Sequence, residues 1–282
     1  MNYFTLNNDK TIPAVGFGVF MIPNNGPTYE ATLAALKAGY RHIDTAAGYM
    51  NESDVGKAIK DSGIPREEIF ITSKLWLQDY GYECAKKGIE NSLTMLGVDY
   101  LDLYLLHQPY GDYLGAWKAL EEAVEAGKIK SIGISNITIN LWNKFKAGMT
   151  LMPVVNQVEF NPFTQQKELR KVMDEYHIRL EAWYPLGHGN KDLLENETIL
   201  SLANKYNKNA GQIILRWIYQ EGVISLPKST NPKRMKGNIE IFDFELNEEE
   251  MKAIQALDTG KGTHNPEDPA NETRLMGLKI HD

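Results

Sequence analysis

The chain has 282 residues, 43% of them hydrophobic and 24% charged, with a formal net charge of −7. That is enough apolar material for one large domain or two small ones; the acidic balance argues against a nucleic-acid-binding surface, and the single cysteine, Cys84, excludes an intrachain disulfide and a cysteine-rich metal site. The first ten residues carry no apolar signal core and no run approaches the length of a membrane span, so a soluble cytoplasmic protein is expected, with no membrane partner.

In chain order, residues 4–12 predict a small hairpin turning at Asn7-Asn8-Asp9. Val15-Gly16-Phe17-Gly18-Val19 reads as a short buried strand, and 27–39 as a helix stopped by Gly39. Tyr40-Arg41-His42-Ile43-Asp44 is a buried strand ending on a carboxylate. A small-residue turn then lifts Tyr49 clear, and Asn51 is expected to cap a helix over 52–62, with Glu52 and Asp54 in its first turn, where acids suit the helix dipole. The strand over 69–73 leads to Lys74. A helix over 82–96 closes on Gly97, and the strand over 101–106 leads to His107. A helix over 114–126 precedes a strand over 131–134 that ends at Ser135 and Asn136. A helix over 140–147, a strand over 153–158 carrying Gln157, a helix over 166–176 and a strand over 178–183 ending on Trp183 follow. Helices over 193–206 and 210–220, a strand over 223–226, a helix over 232–240 with Pro232 near its start, and a last helix capped by Asn247 complete the pattern. The Gly-, Pro- and Asn-rich tail after Asp258 reads as an ordered or semi-ordered extension.

Strict strand–helix alternation with short apolar strands suits a parallel sheet buried on both faces. About eight of each element is what a closed barrel requires. The expected fold is therefore α/β, a (β/α)8 TIM barrel with a short N-terminal β-hairpin, spanning 1–282 as one domain. A doubly wound open sheet is the competitor, but Gly16-Phe17-Gly18 lacks the third glycine of a dinucleotide fingerprint, and Gly260-Lys261-Gly262 lacks the spacing of a phosphate loop.

In such a barrel the reactive groups come from the C-terminal ends of the strands. Those ends here are Asp44, Lys74, His107, Ser135 and Asn136, Gln157, Trp183 and Lys228. Taken singly, Asp44 and Lys74 suit a self-satisfied buried ion pair, His107 a hydrogen-bonded core histidine, and Tyr49 a surface aromatic. Together they suit a tuned proton donor: a nearby ammonium favours the phenolate of a group whose ordinary pKa is about 10, a carboxylate keeps the ammonium charged, and an imidazole can orient a carbonyl oxygen. No hydride source is among them, so one must come from a cofactor.

Over nearly its whole length the chain resembles the aldo-keto reductase family. The stretches that carry the resemblance are Gly16-Phe17-Gly18, Arg41-His42-Ile43-Asp44-Thr45-Ala46 with Tyr49 and Asn51-Glu52, Thr72-Ser73-Lys74-Leu75-Trp76, Leu105-Leu106-His107, Gly133-Ile134-Ser135-Asn136, Asn156-Gln157-Val158-Glu159, and Leu226-Pro227-Lys228-Ser229 with Arg234 and Asn238. The pattern is most similar to bacterial-type members such as glyoxal and diketogluconate reductases. The resemblance implies a (β/α)8 barrel using NADPH/NADP+, with Asp44, Tyr49, Lys74 and His107 as catalytic tetrad and Tyr49 as general acid. It implies that Ser135, Asn136 and Gln157 hold the nicotinamide carboxamide and that Trp183 stacks on the ring. Lys228, Ser229, Arg234 and Asn238 match the adenosine-phosphate clamp, and clustered cations at a helix start also favour a phosphate on physical grounds.

The chain departs from common family patterns at Phe20 and Gln108, both expected in the substrate pocket, at Tyr184 and at Gly237. The expected activity is NADPH-dependent reduction of small aldehydes and ketones by a protein more often monomeric than oligomeric. His42, His188, His264 and His281 follow no metal-ligand spacing, so no metal is expected. Two rival readings stand: a Schiff-base aldolase using Lys74, and an NADPH-binding barrel without turnover.

Overall fold

The computed structural model describes residues 2–282. Strands β1 (Tyr3–Thr5) and β2 (Thr11–Pro13) pair antiparallel as the expected hairpin. Eight parallel strands follow: β3 (Phe17–Gly18), β4 (His42–Asp44), β5 (Phe70–Leu75), β6 (Leu103–Leu106), β7 (Ile132–Ser135), β8 (Val155–Glu159), β9 (Arg179–Trp183) and β10 (Ile224–Ser225). Each pairs with its neighbours in sequence. The sheet closes where Val15 bridges Ser225: Gly16 N donates to Ser225 O at 2.8 Å, and Ser225 N to Ala14 O at 3.0 Å. This is the (β/α)8 barrel that the alternation predicts. Closure explains Gly16, because a Cβ there would lie 2.6 Å from the His42 ring and 2.7 Å from Leu226.

The helices are α1 (Pro27–Ala38), α2 (Glu52–Asp61), α3 (Tyr82–Leu96), α4 (Tyr113–Glu125), α5 (Ile139–Phe145), α6 (Lys167–Glu175), α7 (Lys191–Leu194), α8 (Glu197–Tyr206), α9 (Ala210–Gln220), α10 (Pro232–Ile239), α11 (Glu248–Gln255) and α12 (Pro269–Met276). None among the described residues is long and apolar enough to cross a membrane. Their apolar faces pack on the outside of the barrel and bury Trp117, Trp142 and Trp217 completely. A second apolar cluster fills the lower barrel, where Leu103, Leu105, Val155 and Ile224 meet Leu6 and Ile12 of the hairpin. Asn7 and Asn8 tie the hairpin to Pro153 O and Ser131 Oγ, just ahead of β8 and β7. The hairpin thus plugs the N-terminal mouth, and polar groups are left to the opposite rim.

Two expectations need correcting. Asn51 does sit at the start of α2, but its side chain does not cap the helix. It accepts from Thr45 Oγ1 and donates toward Val19 O, Ile22 O and Thr28 Oγ1, fastening the loops around Tyr49 instead. The helix expected over 193–206 is two helices, because the Asn196 side chain accepts from Thr198 N and starts a new one. The tail after Asp258 is an ordered extension, in line with the sequence, and it also contains a helix, α12, and is clamped across the rim. Glu159 Oε2 accepts from Thr263 N and Oγ1, Trp76 Nε1 donates to Leu278 O, and His281 Nε2 lies 2.9 Å from Asp79 Oδ1.

Candidate active site

Asp44 ends β4, Lys74 is next to last in β5 and His107 directly follows β6. Since β4, β5 and β6 are adjacent and parallel, the three side chains share the C-terminal rim. Tyr49 ends a short 3-10 turn (Ala47–Tyr49), which Met50 closes with a left-handed φ of 55°. Lys74 is 0% exposed. Its Nζ donates to Asp44 Oδ1 at 2.7 Å, Thr45 O at 2.8 Å and Tyr49 OH at 3.2 Å. All three ammonium protons therefore have acceptors, which is the condition for keeping a buried lysine charged.

Burial pulls the Lys74 pKa down, but Asp44 and Tyr49 together outweigh it, and the net shift is upward. Burial pushes Asp44 above the usual carboxylate range, and Lys74 draws it partly back. For Tyr49 the expected pull from Lys74 exists, yet the net shift is upward. Burial is the larger effect, and Asp44 adds to it. The phenol is thus held in its protonated, donating form. Burial, then Lys74, takes His107 well below its ordinary value, so the imidazole is neutral at neutral pH. Its ring stands edge-on to Tyr49 and Trp76, with centroids 5.4 and 5.1 Å away.

Ser135, Asn136, Gln157 and Trp183 line the neighbouring arc, from β7 to β9. Ser135 Oγ donates to Gln157 O at 2.9 Å, so its proton is already committed to the sheet. Asn136 adopts a left-handed φ of 60°, and its Oδ1 accepts from Trp183 Nε1 at 2.9 Å. Gln157 Nε2 donates to Asp44 Oδ2 at 2.9 Å and to Glu181 Oε2 at 2.7 Å. With both N–H groups engaged, the amide orientation follows from its two acceptors, and Oε1 is left as a free acceptor among the described residues.

Lys228 and Ser229 follow β10, and Arg234 and Asn238 lie on α10. Among the described residues, no carboxylate lies within ion-pair distance of Lys228, Lys233 or Arg234. The helix amides contribute less than expected, because Asn231 Oδ1 already accepts from Lys233 N and Arg234 N. Asn238 is buried. Phe20 is 47% exposed and its ring lies 4.9 Å from that of Tyr49, at the open mouth. Gln108 is buried and turned toward Asn136, with Asn136 Nδ2 donating to its Oε1 at 3.4 Å. No cluster of three or more His, Cys, Asp or Glu among the described residues is disposed to hold a metal ion.

The aldo/keto reductase family profile matches residues 15–259. The chain belongs to the aldo/keto reductase family. Among curated proteins, the glyoxal reductase of Bacillus subtilis is 48% identical over 253 residues, covering 89% of this chain and 91% of the relative. Among solved structures, an aldo-keto reductase from a Medee basin deep-sea metagenome library superposes with a TM-score of 0.90 at 43% identity, covering 94% of this chain and 97% of the other. The Bombyx mori aldo-keto reductase, solved in complex with NADP, superposes with a TM-score of 0.88 at 34% identity, covering 96% of each chain. As an aldo/keto reductase this protein is an oxidoreductase acting on carbonyls, with NADP(H) as its cofactor.

Sequence reasoning passed over several residues that this aldo/keto reductase brings to the site. Trp76 packs on His107 and holds the tail, and Glu159 anchors Thr263. His188 lies 4.4 Å from the Tyr184 ring and 6.5 Å from Phe20, across the mouth. Glu181 is wholly buried beneath Gln157. Strand parity was the available signal for two of them, since Glu159 is two residues on from Gln157 and Glu181 two before Trp183.

Proposed function

We propose that this protein reduces small aldehydes and ketones to alcohols, with Tyr49 as general acid. The observation that carries the reading is the contact of Lys74 Nζ with both Asp44 Oδ1 (2.7 Å) and Tyr49 OH (3.2 Å) at a barrel mouth. NADPH, when bound, supplies the hydride that adds to the carbonyl carbon. Tyr49 OH gives its proton to the carbonyl oxygen, and the neighbouring ammonium stabilises the phenolate left behind. A neutral His107 offers one N–H to the same oxygen and orients it. The free Oε1 of Gln157 suits the carboxamide N–H of the nicotinamide, and the exposed part of Trp183 suits its ring. Lys228, Arg234 and Ser229 suit the 2′-phosphate.

Asp44 counts against a Schiff-base role for Lys74. An amine nucleophile must lose its proton, and this one is held charged by three acceptors. The primary test is NADPH oxidation against a panel of small aldehydes, dicarbonyls and keto-sugars. Dicarbonyls come first because the Bacillus relative is a glyoxal reductase. Turnover on at least one class is expected; tight NADPH binding with no turnover on any class removes the proposal. Lys228→Ala is expected to raise the KM for NADPH by roughly 10-fold or more, the worth of a lost charge-assisted hydrogen bond, and to leave the KM for NADH within about twofold. An unchanged ratio between the two cofactors places the phosphate contact elsewhere.

A further inference from the structure

The proposed reaction uses Asp44, Lys74, Tyr49 and His107, but a fifth ionisable side chain lies beneath them. Glu181, on β9, is 0% exposed. Its Oε2 accepts from Gln157 Nε2 at 2.7 Å, and the same nitrogen donates to Asp44 Oδ2 at 2.9 Å. One amide nitrogen therefore spans two carboxyl groups on opposite arcs of the barrel. The other oxygen, Oε1, is buried without a hydrogen-bond partner. Among the described residues, the basic group within ion-pair distance of it is His42 Nε2 at 3.9 Å, and that nitrogen is itself 2.9 Å from Thr72 Oγ1.

We propose that Glu181 is a positioning residue held as a neutral acid. It fixes the Gln157 amide from below and leaves Asp44 as the sole negative charge facing Lys74. This inference rests on the reading of Tyr49 as general acid.

The groups facing Glu181 decide its state. From β4 come His42 and Asp44, which the Lys74 ammonium at 2.7 Å favours as the anion of the two acids. From β5 comes Lys74, whose three protons are already taken by Asp44, Thr45 O and Tyr49 OH. The Tyr49 phenol lies beyond Lys74. From β8 comes the neutral Gln157 amide, and β10 places Ile224 opposite in the register. His42 is not a counterion, since burial and then Lys74 push it down to about 3. A buried carboxylate with one oxygen lacking a donor costs far more than a neutral carboxylic acid, whose unpartnered O–H carries only the smaller penalty of a buried neutral polar group. In agreement, burial and then Asp44 push Glu181 up to about 8, with Gln157 and Lys74 opposing.

Ionisation of Glu181 places a second anion beside Asp44. That charge disfavours the Tyr49 phenolate formed during reduction and alters the pull on Gln157. The alkaline loss of activity then belongs to Glu181 rather than to Tyr49 alone.

The test compares Glu181→Gln with wild type from about pH 6 to about pH 10, measuring kcat and KM for carbonyl reduction with NADPH. At about pH 6.5 the two are expected to agree within roughly twofold, because the amide copies the neutral acid and still accepts from Gln157. The alkaline fall in wild-type kcat, centred near 8, is expected to move up by about one unit or more in the variant. A merely structural role lowers kcat at every pH and leaves the midpoint in place.

Thermal unfolding gives a readout independent of activity. The folded pKa is raised, so folded Glu181 keeps a proton that the unfolded chain releases above about 4.3. Wild type should therefore lose stability relative to Glu181→Gln as pH rises from about 5 to about 8. Superimposable pH profiles overturn the inference, as does a wild type whose own stability does not fall between about pH 5 and about pH 8. A wild type that reduces no carbonyl sinks the proposed reaction first. An active wild type whose profile the variant copies sinks this inference alone.

Discussion

Tyr49→Phe is expected to lower kcat for carbonyl reduction by roughly 100- to 10,000-fold, the usual worth of a positioned general acid. NADPH affinity should stay within about twofold, because no cofactor contact is removed. The variant should fold. Lys74 keeps Asp44 Oδ1 at 2.7 Å and Thr45 O at 2.8 Å, and the phenylalanine ring can keep the packing of Tyr49 against Phe20 and His107. Fluorescence titration of NADPH beside steady-state turnover separates the two effects. Near-normal turnover in the variant would remove Tyr49 from the chemistry.

The same substitution distinguishes Tyr49 from His107 as the acid. His107 is pulled well below its ordinary value by burial and Lys74, so it carries no imidazolium proton at neutral pH. Tyr49, pushed upward by burial, keeps its proton there. Wild-type kcat should therefore be flat across the neutral range and fall only on the alkaline side. An acid that had to be imidazolium would show the opposite slope, losing activity as pH rises through its own pKa.

Much of this site is legible in sequence because of where polar residues interrupt apolar runs. Asp44, Lys74 and His107 each sit at or directly beside the C-terminal end of a strand, and in a parallel barrel that shared position is enough to bring them to one rim. Tyr49 is harder to place, since its position depends on a five-residue turn fastened by Asn51. The Asn51 side chain reaches residues more than twenty positions away, which local capping rules cannot anticipate. Glu181 lay hidden for a related reason. Its meaning depends on Gln157 and Asp44 from two other strands, and strand parity alone does not reveal that one amide serves both acids. The upward net shift of Tyr49 is likewise a product of burial, which the residue types near it do not disclose. The helix within the tail, α12, was obscured by the Gly, Pro and Asn content around it, although an ordered extension was expected there. The contacts that order it, Glu159 to Thr263 and Trp76 to Leu278, are all long-range.

Lys74→Met is expected to be the most damaging change to both fold and function. Removing the ammonium leaves Asp44 buried, with Gln157 as its remaining side-chain donor and a second acid, Glu181, on the far side of that amide. Breaking a buried pair in this way typically costs about 3–5 kcal/mol, which for a chain of this size lowers Tm by roughly 5–10 °C. The sign with pH follows from Asp44. Without Lys74 its folded pKa rises further, so the folded variant binds a proton that the unfolded chain releases above about 3.9. The destabilisation should therefore be smallest near about pH 5 and grow toward about pH 8. Asp44→Asn combined with Lys74→Met removes both charges, keeps a partner for Gln157 and should recover most of the lost stability. Activity should stay lost, because nothing then stabilises the Tyr49 phenolate. Differential scanning calorimetry across pH, paired with turnover of each variant, reads the two quantities separately. A double variant that regains turnover together with stability would mean that Lys74 serves the barrel rather than the reaction.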